Sequence, residues 1–246
     1  MATSTHAAPQ PFVGKVAVVT GASRGIGQSI ASALARLGCT TVLTSRRMAA
    51  ARPVAEGLRE AGLHAKAAEL DVTSEASVRE LFHSIKKLGR LDILVNNAGV
   101  AHQLAPVQEL DPRVWRDVIE TNLNSLFLCT HYALPLMTEG GAIVNNLSVA
   151  AQGTFPGHSG YNASKWGGLG FTNTLREELR PRRIRVVALI PGPTDTEIWE
   201  TFMPEAAHSK KMMSPDAVAQ AVVDCLSLPE NSVVEEIKIR PITGTI

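Results

Sequence analysis

Thr20-Gly21-Ala22-Ser23-Arg24-Gly25-Ile26-Gly27 is the stretch that decides the fold. It follows the apolar run Val16 to Thr20 and opens a segment in which Ile26, Ile30, Leu34 and Leu37 fall on one helical stripe, with Gly38 as its stop. Strand, glycine turn and helix in this order let backbone approach a phosphate closely while the helix N-terminus faces the anion. The spacing is GxxxGxG rather than GxGxxG, so the weight of the turn comes from its place after the first strand.

Outward from this unit, further Val-, Ile- and Leu-rich runs lie at Cys39 to Ser45, Ile93 to Asn96, Ala142 to Leu147 and Ile184 to Ile190. Weaker ones at His64 to Glu69 and Val233 to Arg240 bring the expected strands to about seven. Helical spacing fills the gaps between them. This alternation predicts an α/β domain, a doubly wound parallel sheet with helices on both faces. The chain has 246 residues and no linker or repeat, which suits one domain over 12–246 after a flexible arm, 1–11. Within it, 194–213 mixes Trp199, Phe202 and methionines with charges and Pro204, the composition of an amphipathic lid.

Composition narrows the function. Hydrophobic residues make up 45% and charged residues 19%, with no apolar run of the ~18 residues that a bilayer crossing needs. Basic side chains number 24 and acidic ones 23, so a net charge of +1 offers no field for nucleic acid or a membrane surface. Cys39, Cys129 and Cys225 are odd in number and far apart, which fits a reducing cytoplasm better than a disulfide framework. The opening residues lack the pattern of a secretion signal. The seven histidines show no HExxH or paired spacing, so no metal is expected. His102 and His158, near the expected pocket, read as loop histidines rather than catalysts.

In such a fold the end of the second strand selects the cofactor: a carboxylate bonds a ribose 2'-hydroxyl, and arginine accepts a 2'-phosphate. Here the strand ends Thr44-Ser45-Arg46-Arg47. Arg46, with Arg24 of the turn, can offer planar forks to a phosphate, so NADP is the expected cofactor.

Tyr161-Asn162-Ala163-Ser164-Lys165 opens a helical segment, so Tyr161 and Lys165 share a face. An ammonium beside a phenol favours the phenolate and is expected to draw the phenol's pKa down from ~10, which suits a general acid/base. Ser148 closes the fifth strand and Asn96-Asn97-Ala98-Gly99 the fourth, both at the carboxyl edge where open α/β sheets bind ligands.

These residues together resemble the short-chain dehydrogenase/reductase family, through TGASRGIG at 20–27, NNAG at 96–99, Ser148, YNASK at 161–165 and Pro191-Gly192. The resemblance covers about 12–240 and keeps the thirteen-residue step from Ser148 to Tyr161. It implies a Rossmann-like fold and a catalytic tetrad of Asn122, Ser148, Tyr161 and Lys165. It further implies that Gly21, Ser23, Arg24, Ile26, Gly27 and Arg46 bind the cofactor, with Asp71 and Val72 at the adenine, Asn97, Ala98 and Gly99 on the adenosine ribose side, Pro191, Gly192 and Thr194 at the nicotinamide, and Lys165 also on the nicotinamide ribose. Asp71 has a second reading as a helix cap. Tyr161 would protonate a developing alkoxide, Ser148 hold its oxygen, and Asn122 support a water that replenishes the proton.

Expected substrates are small carbonyl or alcohol compounds. The ending Ile237-Lys238-Ile239-Arg240-Pro241 looks more like the hydroxy-acid and general carbonyl reductase branch than the ketoacyl type. Reduction of a 3-oxoacyl thioester on a carrier protein is the alternative, for which Arg180, Arg182, Arg183 and Arg185 could form a docking patch. A non-catalytic NADP-binding regulator is the rival of another class, one that would need no tetrad. A homo-oligomer, dimer or tetramer, is expected by resemblance, and Gly167, Gly168 and Gly170 in a helical segment suggest close packing against a neighbour or the sheet.

Overall fold

A computed structural model of the chain describes residues 10–244. The expected arm therefore lies, but for Gln10 and Pro11, outside the described residues. In chain order the elements are β1 (Val16–Val19), α1 (Gly25–Arg36), β2 (Thr40–Ser45), α2 (Met48–Glu60), β3 (Ala65–Glu69), α3 (Glu75–Lys86), β4 (Leu91–Asn96) and α4 (Pro112–Ile119). A π turn (Glu120–Asn124) leads into α5 (Ser125–Ala133), followed by β5 (Met137–Asn146), α6 (Ser159–Leu179), β6 (Arg185–Pro191), α7 (Ile198–Phe202), α8 (Pro215–Leu226) and β7 (Glu236–Ile239).

The seven strands form one parallel sheet in the order β3-β2-β1-β4-β5-β6-β7. The chain winds outward from β1 to β3 and then returns to β4 beside β1. That reversal leaves a crevice at the carboxyl ends of β1 and β4, where neighbouring crossovers lie on opposite faces. Successive strand residues alternate between the faces. Ala17, Val19, Leu43, Val95, Val144 and Leu189 pack with α1, α2 and α8, while Val16, Val18, Val42, Leu94, Ile143 and Val186 pack with α3, α5 and α6. Both faces are thus buried, at about 1.5–3 kcal/mol for each Val or Leu taken from water.

Helix starts differ by location. Ser74, Asp111 and Ser214 cap α3, α4 and α8 through their side chains, and Pro stands at the first turn of the last two. Asp71 is thus not the cap of α3; its carboxylate accepts from the Thr73 amide at 3.0 Å and the Thr73 hydroxyl at 2.7 Å. In contrast α1 starts after Arg24, whose side chain caps nothing, and its first turn holds no acid. Its free N–H groups face the crevice.

Two features depart from the sequence reading. A π turn at Glu120–Asn124, holding Asn122, interrupts the helical segment after β4, and helix periodicity does not reveal it. β5 starts earlier than Ala142, at Met137, with a slip in register opposite Leu91 and Ile93.

Candidate functional site

The carboxyl ends of β1, β4, β5 and β6 bring the expected residues together. At the first turn, Gly21 has φ +63°, and a Cβ there would stand 2.9 Å from the Cα of Ala98. A Cβ on Gly27 would lie 2.2 Å from Asn97 Nδ2 and 2.5 Å from the Gly21 carbonyl. The glycines are therefore demanded by the protein's own packing as well as by any bound anion. Thr20, which the sequence reading left out, fixes the turn to β4: its hydroxyl accepts from the amides of Asn97 and Ala98 at 2.8 and 2.9 Å. Asn97 Nδ2 reaches back to the carbonyls of Thr20 and Gly21 at 2.8 and 3.0 Å.

Uncapped amides at α1, with glycines that bring backbone close, suit a phosphate. Ser23 and Ile26 lie in this turn and the first turn of α1. Arg24 extends outward, 68% exposed, with Nε 4.0 Å from a carboxylate oxygen of Glu197. Arg46 follows β2 at the surface, and its charge helps to hold the Asp71 carboxyl below the ordinary carboxylate range, though the Thr73 hydroxyl does more. Two arginines and an acid capable of facing an adenosine thus border one edge. Val72 is buried beside them in the core.

Asn122 sits in the π turn and is 1% exposed. Its Oδ1 accepts from the Val100 amide at 2.8 Å, and its Nδ2 donates to the Val100 carbonyl at 2.8 Å and to Ser164 Oγ at 3.1 Å. The carboxamide that was expected to support a water is spent on clamping the loop after β4 to α6. A Cβ on Gly99 would stand 3.4 Å from Asn122 Oδ1 and 3.7 Å from Lys165 Nζ, so the backbone of Gly99 lies between the two.

Lys165 and Tyr161 share the first turns of α6. Lys165 is buried, donates to the Asn146 carbonyl at 3.0 Å, and has its nitrogen 5.5 Å from the centre of the Tyr161 ring. Two of its N–H groups remain for other partners. Burial pulls its pKa down from 10.5 to about 8. Tyr161 goes the other way: burial raises its pKa, and the hydrogen bond from Ser148 only partly offsets this. The expectation that the ammonium would pull the phenol down is not met, because desolvation penalises the phenolate more than its neighbours favour it. At neutral pH the phenol therefore holds its proton and the amine is mostly charged.

Behind these groups runs a buried polar chain from sheet to helix. Asn96 donates to Thr130 Oγ1 at 3.2 Å and Asn145 Oδ1 at 2.9 Å, Asn145 donates to Thr172 Oγ1 at 2.9 Å, and Thr172 donates to the Gly168 carbonyl at 2.6 Å. Asn146 Nδ2 joins Asn97 Oδ1 at 2.8 Å. Polar residues in an otherwise apolar strand were the available signal for Asn145 and Asn146.

Segment 194–213 packs beside Tyr161, with the Phe202 ring centre 6.2 Å from that of Tyr161. Pro191 ends β6; Gly192 donates its amide to Ile239 at 2.8 Å; buried Thr194 bridges to Met213. Trp199 Nε1 ties α7 to the Thr194 carbonyl at 2.8 Å, and Phe202 stacks on His158 with ring centres 3.9 Å apart. His158 and His102 are both buried, and each leaves its Nε2 unpaired. The His102 Nδ1 lies 2.7 Å from the Gln103 carbonyl, so this nitrogen carries the proton. Burial and the neighbouring His102 push the His158 pKa down to about 4, so its ring is neutral.

Several expected features fall elsewhere. Arg180, Arg182, Arg183 and Arg185 lie at the amino end of β6, opposite the crevice, and bind Glu177, Glu235, Glu139 and backbone carbonyls. They form no patch at the pocket mouth. A Cβ on Gly167 would stand 2.9 Å from Leu123 and one on Gly168 2.9 Å from Leu147, so packing inside the chain accounts for both, while Gly170 meets nothing within 4 Å. Among the described residues no His, Cys, Asp or Glu group is placed to hold a metal, and no helix is long and apolar enough to cross a membrane.

Comparison with known proteins agrees with this geometry. The family described as short chain dehydrogenase matches residues 15–207. A 3-oxoacyl-acyl-carrier-protein reductase of Pseudomonas aeruginosa is 41% identical over 196 residues, 78% of each chain. Farnesol dehydrogenase of Aedes aegypti is 35% identical over 242 residues, 94% of this chain and 97% of its own. Among solved structures, an alcohol dehydrogenase of Thermococcus sibiricus complexed with 5-hydroxy-NADP superposes with a TM-score of 0.86 at 32% identity, over 93% of this chain and 97% of that one. A metagenomic short-chain oxidoreductase in complex with NADP gives 0.83 at 32% identity, over 94% and 99%.

Proposed function

The chain belongs to the short-chain dehydrogenase family and is an oxidoreductase, and from that premise we propose that it interconverts a small carbonyl compound and its alcohol with NADP(H), using Tyr161 as general acid/base. What supports the reading is one juxtaposition: a protonated phenol, a hydroxyl bonded to it and a buried amine stand at the same sheet edge as an uncapped helix N-terminus.

When bound, the reduced nicotinamide supplies hydride to the carbonyl carbon. Ser148 holds the carbonyl oxygen, its own hydroxyl kept in place by the Ala150 amide at 3.1 Å. Tyr161, whose raised pKa keeps it protonated at neutral pH, gives its proton to that oxygen as negative charge develops. Lys165 places positive charge beneath the phenol and turns its spare N–H groups toward the nicotinamide ribose. Asn122 acts by position, fixing Val100 and Ser164 around Lys165. Gly21, Ser23, Ile26 and Gly27 seat the pyrophosphate at α1, Asp71 and Val72 flank the adenine, and Asn97, Ala98 and Gly99 line the ribose side. Pro191, Gly192 and Thr194 border the nicotinamide.

Arg24 and Arg46 take the 2'-phosphate, and two of the compared structures carry NADP or a derivative. Arg46→Ala is expected to weaken NADPH binding by about 10- to 100-fold, the loss of a charge-assisted contact, and to leave NADH binding within about twofold. Equal weakening of both would overturn the assignment. The activity itself is tested by NADPH oxidation across a panel of ketones and aldehydes, with an acetoacetyl thioester as the carrier-type arm.

A homo-oligomer completes the reading. Phe127 on α5 and Trp166 on α6 are 56% and 49% exposed, and Gly170 continues the open face of α6. A second copy laid along this face would cover them. Light scattering at the mass of one chain would contradict it.

A further inference from the structure

We propose that the substrate is a neutral carbonyl compound with a flat, aromatic or conjugated group next to the carbonyl, selected against carboxylate-bearing keto acids by the wall that Phe202, Trp199 and His158 build over Tyr161. This rests on the proposed reductase reading and narrows it. The three ring centres of Tyr161, His158 and Phe202 form a triangle: 6.2 Å from Tyr161 to each of the others, and 3.9 Å between His158 and Phe202. Trp199 extends the wall, 4.8 Å from Phe202, and is itself fixed through its indole nitrogen to Thr194. A planar group bound beside the Tyr161 ring can lie against the rings of His158 and Phe202, and ring against ring favours planar partners beyond their area alone.

The charges around the wall exclude anions. His158 lends no positive charge at neutral pH, because burial keeps it neutral. Lys165 is held on the Asn146 carbonyl and Arg24 beside Glu197. The lid segment 194–213 brings Asp195, Glu197, Glu200 and Glu205 against Lys210 and Lys211, so its charged side chains carry net negative charge. Asp195 and Glu200 face His208, the former at 2.7 Å. A carboxylate entering this mouth would meet the acids of 194–213, while Lys165, the cation nearest the phenol, is held on the Asn146 carbonyl and, in the proposed reading, on the ribose.

The test compares acetophenone, 2-butanone and 4-acetylbenzoate as substrates with NADPH. Acetophenone is expected to exceed both others in kcat/KM by at least about fivefold, the size of an aromatic contact on one side and of unpaired charge burial on the other. Phe202→Leu is expected to shrink the ratio of acetophenone to 2-butanone towards unity, and His158→Phe, which keeps a flat neutral surface, to preserve it. Binding is read separately as quenching of Trp199 fluorescence by acetophenone without cofactor, lost in Trp199→Phe. Preference for 4-acetylbenzoate or 2-butanone overturns this inference and leaves the reductase reading standing. Failure of every carbonyl compound to oxidise NADPH overturns the reductase reading, and the inference with it.

Discussion

The floor and the lid of the crevice are held in different ways. On the floor, Asn122, Asn145, Thr172 and Lys165 are buried and joined by side-chain bonds that cross between β4, β5, the π turn and α6. In the lid, α7 is a helix of five residues with no buried side chain, tied by Trp199, by the Thr194 to Met213 bridge and by the exposed contacts of His208. Chemistry needs fixed distances, and substrate entry needs movement. The protein gives each its own part of the chain.

If that division is right, changes on the floor should cost most. Tyr161→Phe is expected to lower turnover by about 100- to 10,000-fold, the range for a general acid/base, with NADPH affinity nearly constant. Asn145→Ala removes one buried bond from Asn96 Nδ2 and one from Thr172 Oγ1, which keep their bonds to Thr130 and to the Gly168 carbonyl; at about 0.5–1.5 kcal/mol for each lost bond, thermal unfolding should drop by about 2–10 °C. A pH profile sharpens the comparison further. The lowered pKa of Lys165 means that its charged form predominates below about 8, so kcat/KM for reduction should fall as pH rises through that value while Tyr161 still keeps its proton. A profile flat from neutrality to pH ~10 would show that the amine's charge is not needed.

The smallest effect belongs to the lid. His208 has φ +58° and binds Asp195 and Glu200, which raise its pKa above 6.5. A raised value stabilises the folded lid below the ordinary histidine range, and that contribution disappears as pH climbs through the raised value. Hydrogen exchange of 194–213 should therefore quicken, beyond the intrinsic rate, as pH rises above the ordinary histidine value of about 6.5, and His208→Gln should abolish the difference without moving the unfolding midpoint by more than about 1 °C. A large loss of stability in this variant would mean that lid and floor are one cooperative unit.

The floor was also the more legible part. The glycine turn, the Asn-Asn-Ala-Gly end of β4, Ser148 and the Tyr161–Lys165 pair are local patterns whose places in the sheet follow from alternation of strand and helix. The π turn was not legible, since one extra residue in a helical turn leaves no mark on apolar periodicity. Nor was the direction of the Tyr161 shift, which follows from how far the fold withdraws the phenol from water rather than from its spacing from Lys165. The stacking of Phe202 on His158 joins residues 44 positions apart, through a lid whose residues carry no repeating pattern. The helix glycines were legible as sites of close packing, but which neighbour requires them was not, because Leu123 and Leu147 approach from segments whose path only the fold defines.

Asn97 closes a relay that begins at Gly27 and ends at Lys165. Its amide nitrogen stands where a Cβ on Gly27 would be, its oxygen takes the Asn146 amide, and the Asn146 carbonyl takes the lysine. The proposed seat of the diphosphate and the helix turn that carries the proposed proton donor are therefore indexed to each other by three short links. A designer who wants a new substrate can rewrite the roof freely, but any edit that nudges the first bend shifts the ruler against which the far end is measured.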